Sequence, residues 1–173
     1  HGTFHWPFML RDPTDRGVAR LMQDVTAFCA AHSPIRIEGL RLSRLGRFLA
    51  LLPEGDTSAL IETAGDLVRQ LQPLRKSVTD AEIAKRRTGH LSPEQDTLLT
   101  QWGYPYVMDQ FRFHMTLTGK LQKRQMAEVE AVLNTFLPPI LPQPFEIDAL
   151  CLRGEDDQRM FHVLARLPFG GSP

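Results

Sequence analysis

Two His-x-Thr triplets stand 113 residues apart in the chain, His1-Gly2-Thr3 and His114-Met115-Thr116. In an extended backbone a spacing of two places both side chains of a triplet on one face, side by side. If two such strands oppose each other, His1, Thr3, His114 and Thr116 make four convergent donors and acceptors. Two imidazoles across a phosphodiester provide in-line acid–base chemistry. One, neutral, takes the proton from water; the other, protonated, gives a proton to the leaving oxygen. An unperturbed pKa of about 6.5 suits histidine to both roles. The threonine hydroxyls can donate to the non-bridging oxygens as charge builds. This chemistry needs no metal and no cofactor. A lone His-x-Thr carries little weight, because a surface or satisfied core histidine fits it equally well. Two copies at matching points of a repeat carry far more.

The elements that must position these groups follow from hydrophobic spacing. Residues 1–8 alternate, with Gly2, Phe4, Trp6 and Phe8 on one face and His1, Thr3, His5 and Pro7 on the other, which predicts a strand with one apolar side. Residues 110–118 alternate likewise: Phe111, Phe113, Met115 and Leu117 against Arg112, His114, Thr116 and Thr118. Asp12-Pro13 reads as a helix start, followed by Val18, Leu21, Met22, Val25, Phe28 and Cys29 at helical spacing and a stop at Pro34. Strands are expected over 35–42 and 46–53, with a turn at Ser43–Leu45, and a helix over 56–71. A later amphipathic helix directs Met126, Val129, Val132, Leu133, Phe136 and Leu137 inward and stops at Pro138-Pro139. Strands at 145–153 and 160–168 close the chain.

The two halves therefore share the order strand, helix, strand, strand. The match extends to residues: H-G-T-F at 1–4 and H-M-T-L at 114–117, P-I-R-I-E-G-L-R-L at 34–42 and P-F-E-I-D-A-L-C-L at 144–152, L-A-L-L-P at 49–53 and L-A-R-L-P at 164–168. The offsets are 113, 110 and 115 residues. Two copies make a duplication rather than a solenoid array. A duplicated unit packs about a pseudo-two-fold, so His1 and His114 are expected across one groove, their ring nitrogens about 5–8 Å apart. The expected organisation is one domain over 1–173: a first repeat over 1–54, a helix and insertion over 55–109, and a second repeat over 110–168. The insertion carries two capping boxes, Thr79…Glu82 and Ser92…Gln95, a basic cluster Lys85-Arg86-Arg87 and an aromatic turn Trp102-Gly103-Tyr104-Pro105-Tyr106, and reads as an insertion or lid.

Composition bounds the rest. The chain has 173 residues, 42% hydrophobic and 23% charged, which is globular. Twenty basic and twenty acidic residues give a formal net charge of zero, which argues against gripping long nucleic acid by counterion release and leaves room for a small phosphorylated ligand. Cys29 and Cys151 are too few for a disulfide framework and both read as buried thiols. No apolar run approaches a membrane span and no secretory signal is visible, so a cytoplasmic protein, without membrane partners and monomeric, is expected. There is no P-loop, no dinucleotide fingerprint, no G-x-S-x-G and no Cys/His cluster with zinc spacing. Beyond the two triplets, Arg112 can clamp a phosphate as a planar fork, and Tyr104 and Tyr106 can stack on a base or sugar. The competing readings are a strand-edge salt bridge for the arginine and packing beneath the insertion for the tyrosines.

Paired His-x-Thr motifs in a duplicated strand–helix–strand–strand frame resemble the 2H phosphoesterase superfamily, which includes RNA ligase-like cyclic phosphodiesterases. The fuller run W-G-Y-P-Y-V-M-D-Q-F-R-F-H-M-T-L-T-G at 102–119 resembles the branch of that superfamily associated with phosphonate-degradation gene clusters. In that branch the first motif resembles H-A-T-L-K-x-P-F, here H-G-T-F-H-W-P-F; His5 stands where lysine is usual, so a positive contact there would depend on pH. The resemblance covers essentially the whole chain. It implies a bilobal α+β fold, with antiparallel sheets around a central groove and helices outside, and hydrolysis of a cyclic or otherwise activated phosphodiester. His1, Thr3, His114 and Thr116 would then be catalytic, and Arg112, His5, Tyr104 and Tyr106 would contact substrate. The substrate is expected to be a phosphoribosyl cyclic phosphate or a 2′,3′-cyclic nucleotide-type end. The alternative is a non-catalytic module that holds a phosphorylated ligand or RNA end in the same groove. Family members carry a strand and helix before the first motif, whereas this chain opens at His1, without Met, inside a strand pattern. A fragment is therefore expected, with a bare sheet edge or exposed apolar patch in the first lobe.

Overall fold

The computed structural model describes residues 2–170, so His1 lies outside the described residues. The fold is α+β, with helices and antiparallel strands. In chain order the elements are α1 (Asp15–Ala31), β1 (Ile35–Ile37), β2 (Gly39–Leu45), β3 (Phe48–Glu54), α2 (Ser58–Leu71), α3 (Asp80–Arg87), α4 (Pro93–Trp102), β4 (Met115–Thr116), α5 (Lys123–Phe136), β5 (Phe145–Ile147), β6 (Ala149–Glu155) and β7 (Phe161–Pro168). Among the described residues no helix is long and apolar enough to cross a membrane.

The strands form three antiparallel groups: β1 with β5, β2-β3-β4, and β6 with β7. The segments expected as single strands at 35–42 and 145–153 are each broken, at Glu38 and at Asp148, so that a three-residue strand precedes a hairpin in both halves. The short strands pair with each other, Ile35 opposite Ile147, Arg36 opposite Glu146 and Ile37 opposite Phe145. Arg36 and Glu146 are the residues that a 110-residue offset makes equivalent. The first hairpin turns at Gly46, whose φ of +59° is left-handed, rather than at Ser43–Leu45, which lie within β2. In the second hairpin a register shift falls between Leu152 and Arg153.

Helix α2 ties the core together. Its Leu67 and Leu71 join Leu21, Val25, Phe28, Cys29, Leu150 and Phe169, and its Leu60 joins Ile35, Ile37, Leu40, Leu51 and Phe113. Its Val68 packs with Trp6 and Val107. One amphipathic helix between the two similar halves thus faces every cluster. Both capping boxes in the insertion form as expected, on Thr79–Glu82 and Ser92–Gln95.

Several expectations need correction. Residues 2–8 do not form a strand; only Gly2 among them pairs, in an isolated bridge to Met115. Phe4 packs toward Phe111 and Phe113, Trp6 toward Val68 and Val107, and Phe8 toward the α1 cluster. Side chains claimed by different clusters cannot share one face of a straight strand, and Pro7 lacks an N–H for pairing. Similarly, only Met115–Thr116 of the 110–118 stretch pair as a strand; Met108–Gln110 make a tight helical turn. Helices α1 and α2 each start later than expected. Asp12 spends its Oδ1 on the Thr14 N–H and hydroxyl, and Asp56 accepts from the Ser58 N–H and hydroxyl, turns that precede helical backbone. On α5, Met126 is buried while Val132 and Phe136 are exposed. Cys29 is buried, but Cys151 is exposed because alternation along β6 sends Leu150 inward and its neighbour outward.

Candidate functional site

The second His-x-Thr motif is held on both sides. Met115 and Thr116 in β4 pair with Leu51 and Ala50 of β3, and Leu117 N–H donates to Leu49 O at 2.9 Å. On the other side Met115 makes an antiparallel bridge to Gly2. Gly2 and Met115 are the middle residues of the two triplets. In antiparallel pairing, residue i+1 of one segment neighbours j−1 of the other, so Thr3 adjoins His114 beside this bridge. Glycine is required at position 2: a Cβ there would fall 2.2 Å from Cζ of Phe113, the buried ring that supports the bridge from the apolar side.

The polar side of this arrangement faces solvent. Thr3 and Thr116 are exposed and His114 is half-buried. His114 Nδ1 lies 2.9 Å from the Arg112 carbonyl oxygen. A carbonyl only accepts, so Nδ1 carries the hydrogen and Nε2 of the neutral ring is the free, basic nitrogen. The backbone bond also fixes the ring's orientation. The Arg112 side chain is exposed and makes no ion pair among the described residues, so the competing strand-edge salt bridge is not formed there. Thr118 turns to structural use, accepting from Leu49 N–H and donating to Gly119 O. Among the described residues no group of three or more His, Cys, Asp or Glu could hold a metal ion.

The remaining predicted contacts sit together along the chain from Thr3. His5 stacks on Trp6 with ring centroids 4.1 Å apart, and Trp6 stacks on Tyr104 at 5.0 Å. Arg86 lies over the Tyr104 ring at 5.2 Å, a cation–π contact, and the exposed Tyr106 meets Tyr104 edge-on. The insertion is therefore docked on the first motif segment through its aromatic turn. Burial pushes the His5 imidazole down to about 4; its bond to Trp6 O opposes this and the nearby Arg75 charge adds to it. His5 is neutral at ordinary pH, and the positive charge beside it is that of Arg75.

That shift has a stability consequence. A histidine at about 6.5 when unfolded and about 4 when folded binds its proton more readily in the unfolded chain. Its contribution is complete above pH 6.5 and is lost as pH falls toward 4, about 3 kcal/mol at most. Urea unfolding at pH 7 and pH 4.5 should show a steeper acid loss in the parent chain than in His5→Phe. Equal slopes would place His5 in water.

Arg75 is a residue that sequence spacing did not single out. It is 7% exposed. Its Nε donates to Gln72 Oε1 at 3.1 Å and its Nη1 to Lys76 O at 3.3 Å. Gly103 closes against it: that residue has φ +76°, and a Cβ there would fall 2.5 Å from Nη1. In sequence Arg75 is one basic residue of a Pro-Leu-Arg-Lys run; only the distant glycine signals that a guanidinium needs the space.

Comparison with known proteins places these features in a family. Residues 3–162 match the family described as "Protein of unknown function (DUF1045)". A "Ribose 1,5-bisphosphate phosphokinase PhnN" of Janthinobacterium sp. (strain Marseille) is 35% identical over 176 residues, 99% of this chain and 38% of that protein. A protein of the same description from Laribacter hongkongensis (strain HLHK9) is 29% identical over 160 residues, 90% of this chain and 35% of that protein. The chain thus spans little more than a third of the length of these curated relatives. No solved structure gives a significant match.

Proposed function

This chain belongs to the DUF1045 family, and we propose that it is a phosphodiesterase that opens a small cyclic phosphate with two histidines. The observation that carries this reading is the antiparallel bridge between Gly2 and Met115, which sets the centres of the two His-x-Thr triplets against each other. His114 offers Nε2 to the reaction, because Nδ1 is committed to the Arg112 carbonyl. His1, one residue before the bridge, supplies the second imidazole.

In the proposed step one neutral imidazole takes a proton from water, and the water oxygen bonds to phosphorus. The ester bond opposite breaks, and the other imidazole, protonated beforehand, gives its proton to the departing oxygen. The products are a phosphomonoester and a free hydroxyl. Thr3 and Thr116 donate to the non-bridging oxygens, and Arg112 balances their charge.

The relatives support a phosphoribosyl substrate. Their name describes a kinase acting on ribose 1,5-bisphosphate. This chain carries no P-loop, and the reading therefore leaves the kinase activity to the part of those proteins outside the matched span. Hydrolysis of a 5-phosphoribosyl 1,2-cyclic phosphate at the bond to O2 yields ribose 1,5-bisphosphate. A chain joining both parts would form that compound and consume it, consistent with a role in phosphonate breakdown.

The test is the pH dependence of ring opening. Acid and base acting together give a bell-shaped rate with a maximum between two titrations, unchanged by a chelator. A flat profile, or one abolished by chelation, would overturn the two-histidine mechanism. Binding of a cyclic phosphate without turnover would instead support the non-catalytic module.

A further inference from the structure

Arg75 is buried, yet among the described residues no carboxylate lies within ion-pair distance of it. The acid whose charge reaches it is Glu82, which is committed elsewhere: its Oε2 accepts from the Thr79 N–H at 2.8 Å and hydroxyl at 2.9 Å. A second cation, Arg86, acts on Arg75 with the opposite sign to Glu82. Leaving a buried charge uncompensated is unfavourable, and the ordinary remedies are an acid or a bound anion.

The guanidinium also has donors to spare. Nε and Nη1 each use one N–H on the protein, so one N–H on Nη1 and both on Nη2 lack an acceptor among the described residues. Every fully buried side-chain nitrogen or oxygen among the described residues has a partner, so Nη2 reaches solvent. Around it the side chains form a circuit: Arg75 acts on His5, His5 stacks on Trp6, Trp6 on Tyr104, and Arg86 covers Tyr104 and acts back on Arg75. Gly103, against which the guanidinium packs, directly precedes Tyr104 in the chain, so a planar, doubly donating group lies beside this aromatic stack.

We propose that Arg75, with Arg86 and the Trp6–Tyr104 stack, binds a phosphomonoester at the end of the substrate remote from the cyclic phosphate. The proposal rests on the phosphodiesterase reading in placing both groups on one molecule. His5 is two residues from Thr3, a reach of at most about 7 Å along an extended chain. The Arg75 charge acts on His5, so the ligand proposed to run from the threonine to the guanidinium is a pentose phosphorylated at both ends. Arginine's fork matches two phosphate oxygens at once. The site would therefore select a phosphoribosyl cyclic phosphate over a 2′,3′-cyclic nucleoside without a second phosphate.

Calorimetric titration of ribose 5-phosphate and of ribose into the intact chain tests this. Ribose 5-phosphate should bind at least about 10-fold more tightly than ribose, and Arg75→Gln should weaken it by about 10- to 100-fold. Arg86→Gln should weaken it less, about 3-fold. His114→Ala should leave this binding unchanged while removing ring opening, which separates the two claims. If the parent chain opens no cyclic phosphate but still binds ribose 5-phosphate through Arg75, the subsite stands and the phosphodiesterase falls. Should Arg75→Gln fail to fold, Arg86→Gln, on a half-buried helix residue, decides alone. Equal affinity for ribose and ribose 5-phosphate, or unchanged affinity in folded Arg75→Gln or in Arg86→Gln, would overturn the subsite.

Discussion

His114→Ala is expected to open a cyclic phosphate about 100- to 10,000-fold more slowly than the parent chain, the range for loss of one positioned acid or base. Its stability should fall by no more than about 1 kcal/mol, because the ring is half-buried and its bond to the Arg112 carbonyl is a single neutral hydrogen bond. The substitution leaves Met115 to pair through its backbone with Leu51 and Gly2, so the motif keeps its place. His1→Ala should cost a similar factor, and the double variant little more, since the pair works as a unit. Rates and urea midpoints measured on the same preparations separate chemistry from folding. A rate within a factor of a few of the parent would remove His114 from the mechanism.

Trp6→Ala should have the largest effect on stability, about 3–5 kcal/mol. The indole is buried with Val68 of α2 and Val107, and Leu98, Trp102, Tyr104 and Met108 pack around it. It is the contact through which the aromatic turn of the insertion rests on the first motif. Losing it removes the support under His5 and Tyr104 together. Denaturant unfolding gives the loss, and hydrogen exchange should locate it, with protection falling in α4 and in the 103–107 turn more than in α1. A loss under about 1 kcal/mol, or one spread evenly over the chain, would show that the insertion docks by other contacts.

What the sequence made legible was local chemistry and period. Capping boxes at Thr79 and Ser92 announced two short helices because their hydrogen bonds close within four residues. Alternation separated buried Phe113 from half-buried His114 and exposed Thr116, but it failed one step on, where Leu117 is exposed and Thr118 half-buried with its hydroxyl bonded to Leu49 N–H. The repeat offset relates residues 34–42 to 144–152, but it pointed to strands facing across a groove, whereas Arg36 and Glu146 pair directly in one ladder. Alternation also failed at residues 2–8, where period two is present but the rings go to separate clusters, a choice that only long-range packing decides. Helical spacing on α5 also overreached, since amphipathicity marks an apolar stripe and not what covers it: Val132 and Phe136 remain exposed. The burial of Arg75 was invisible because it depends on Gly103, 28 residues away, giving the guanidinium room.

The most direct measurement is phosphorus NMR of a cyclic phosphate incubated with a catalytic amount of the chain in ¹⁸O-enriched water. 5-Phosphoribosyl 1,2-cyclic phosphate and a 2′,3′-cyclic nucleotide should be run side by side. The cyclic diester signal is expected to give way to a phosphomonoester carrying one ¹⁸O on phosphorus, over many turnovers, and faster for the phosphoribosyl compound. Unchanged cyclic diester with both compounds, from a chain that is folded and binds them, would contradict it.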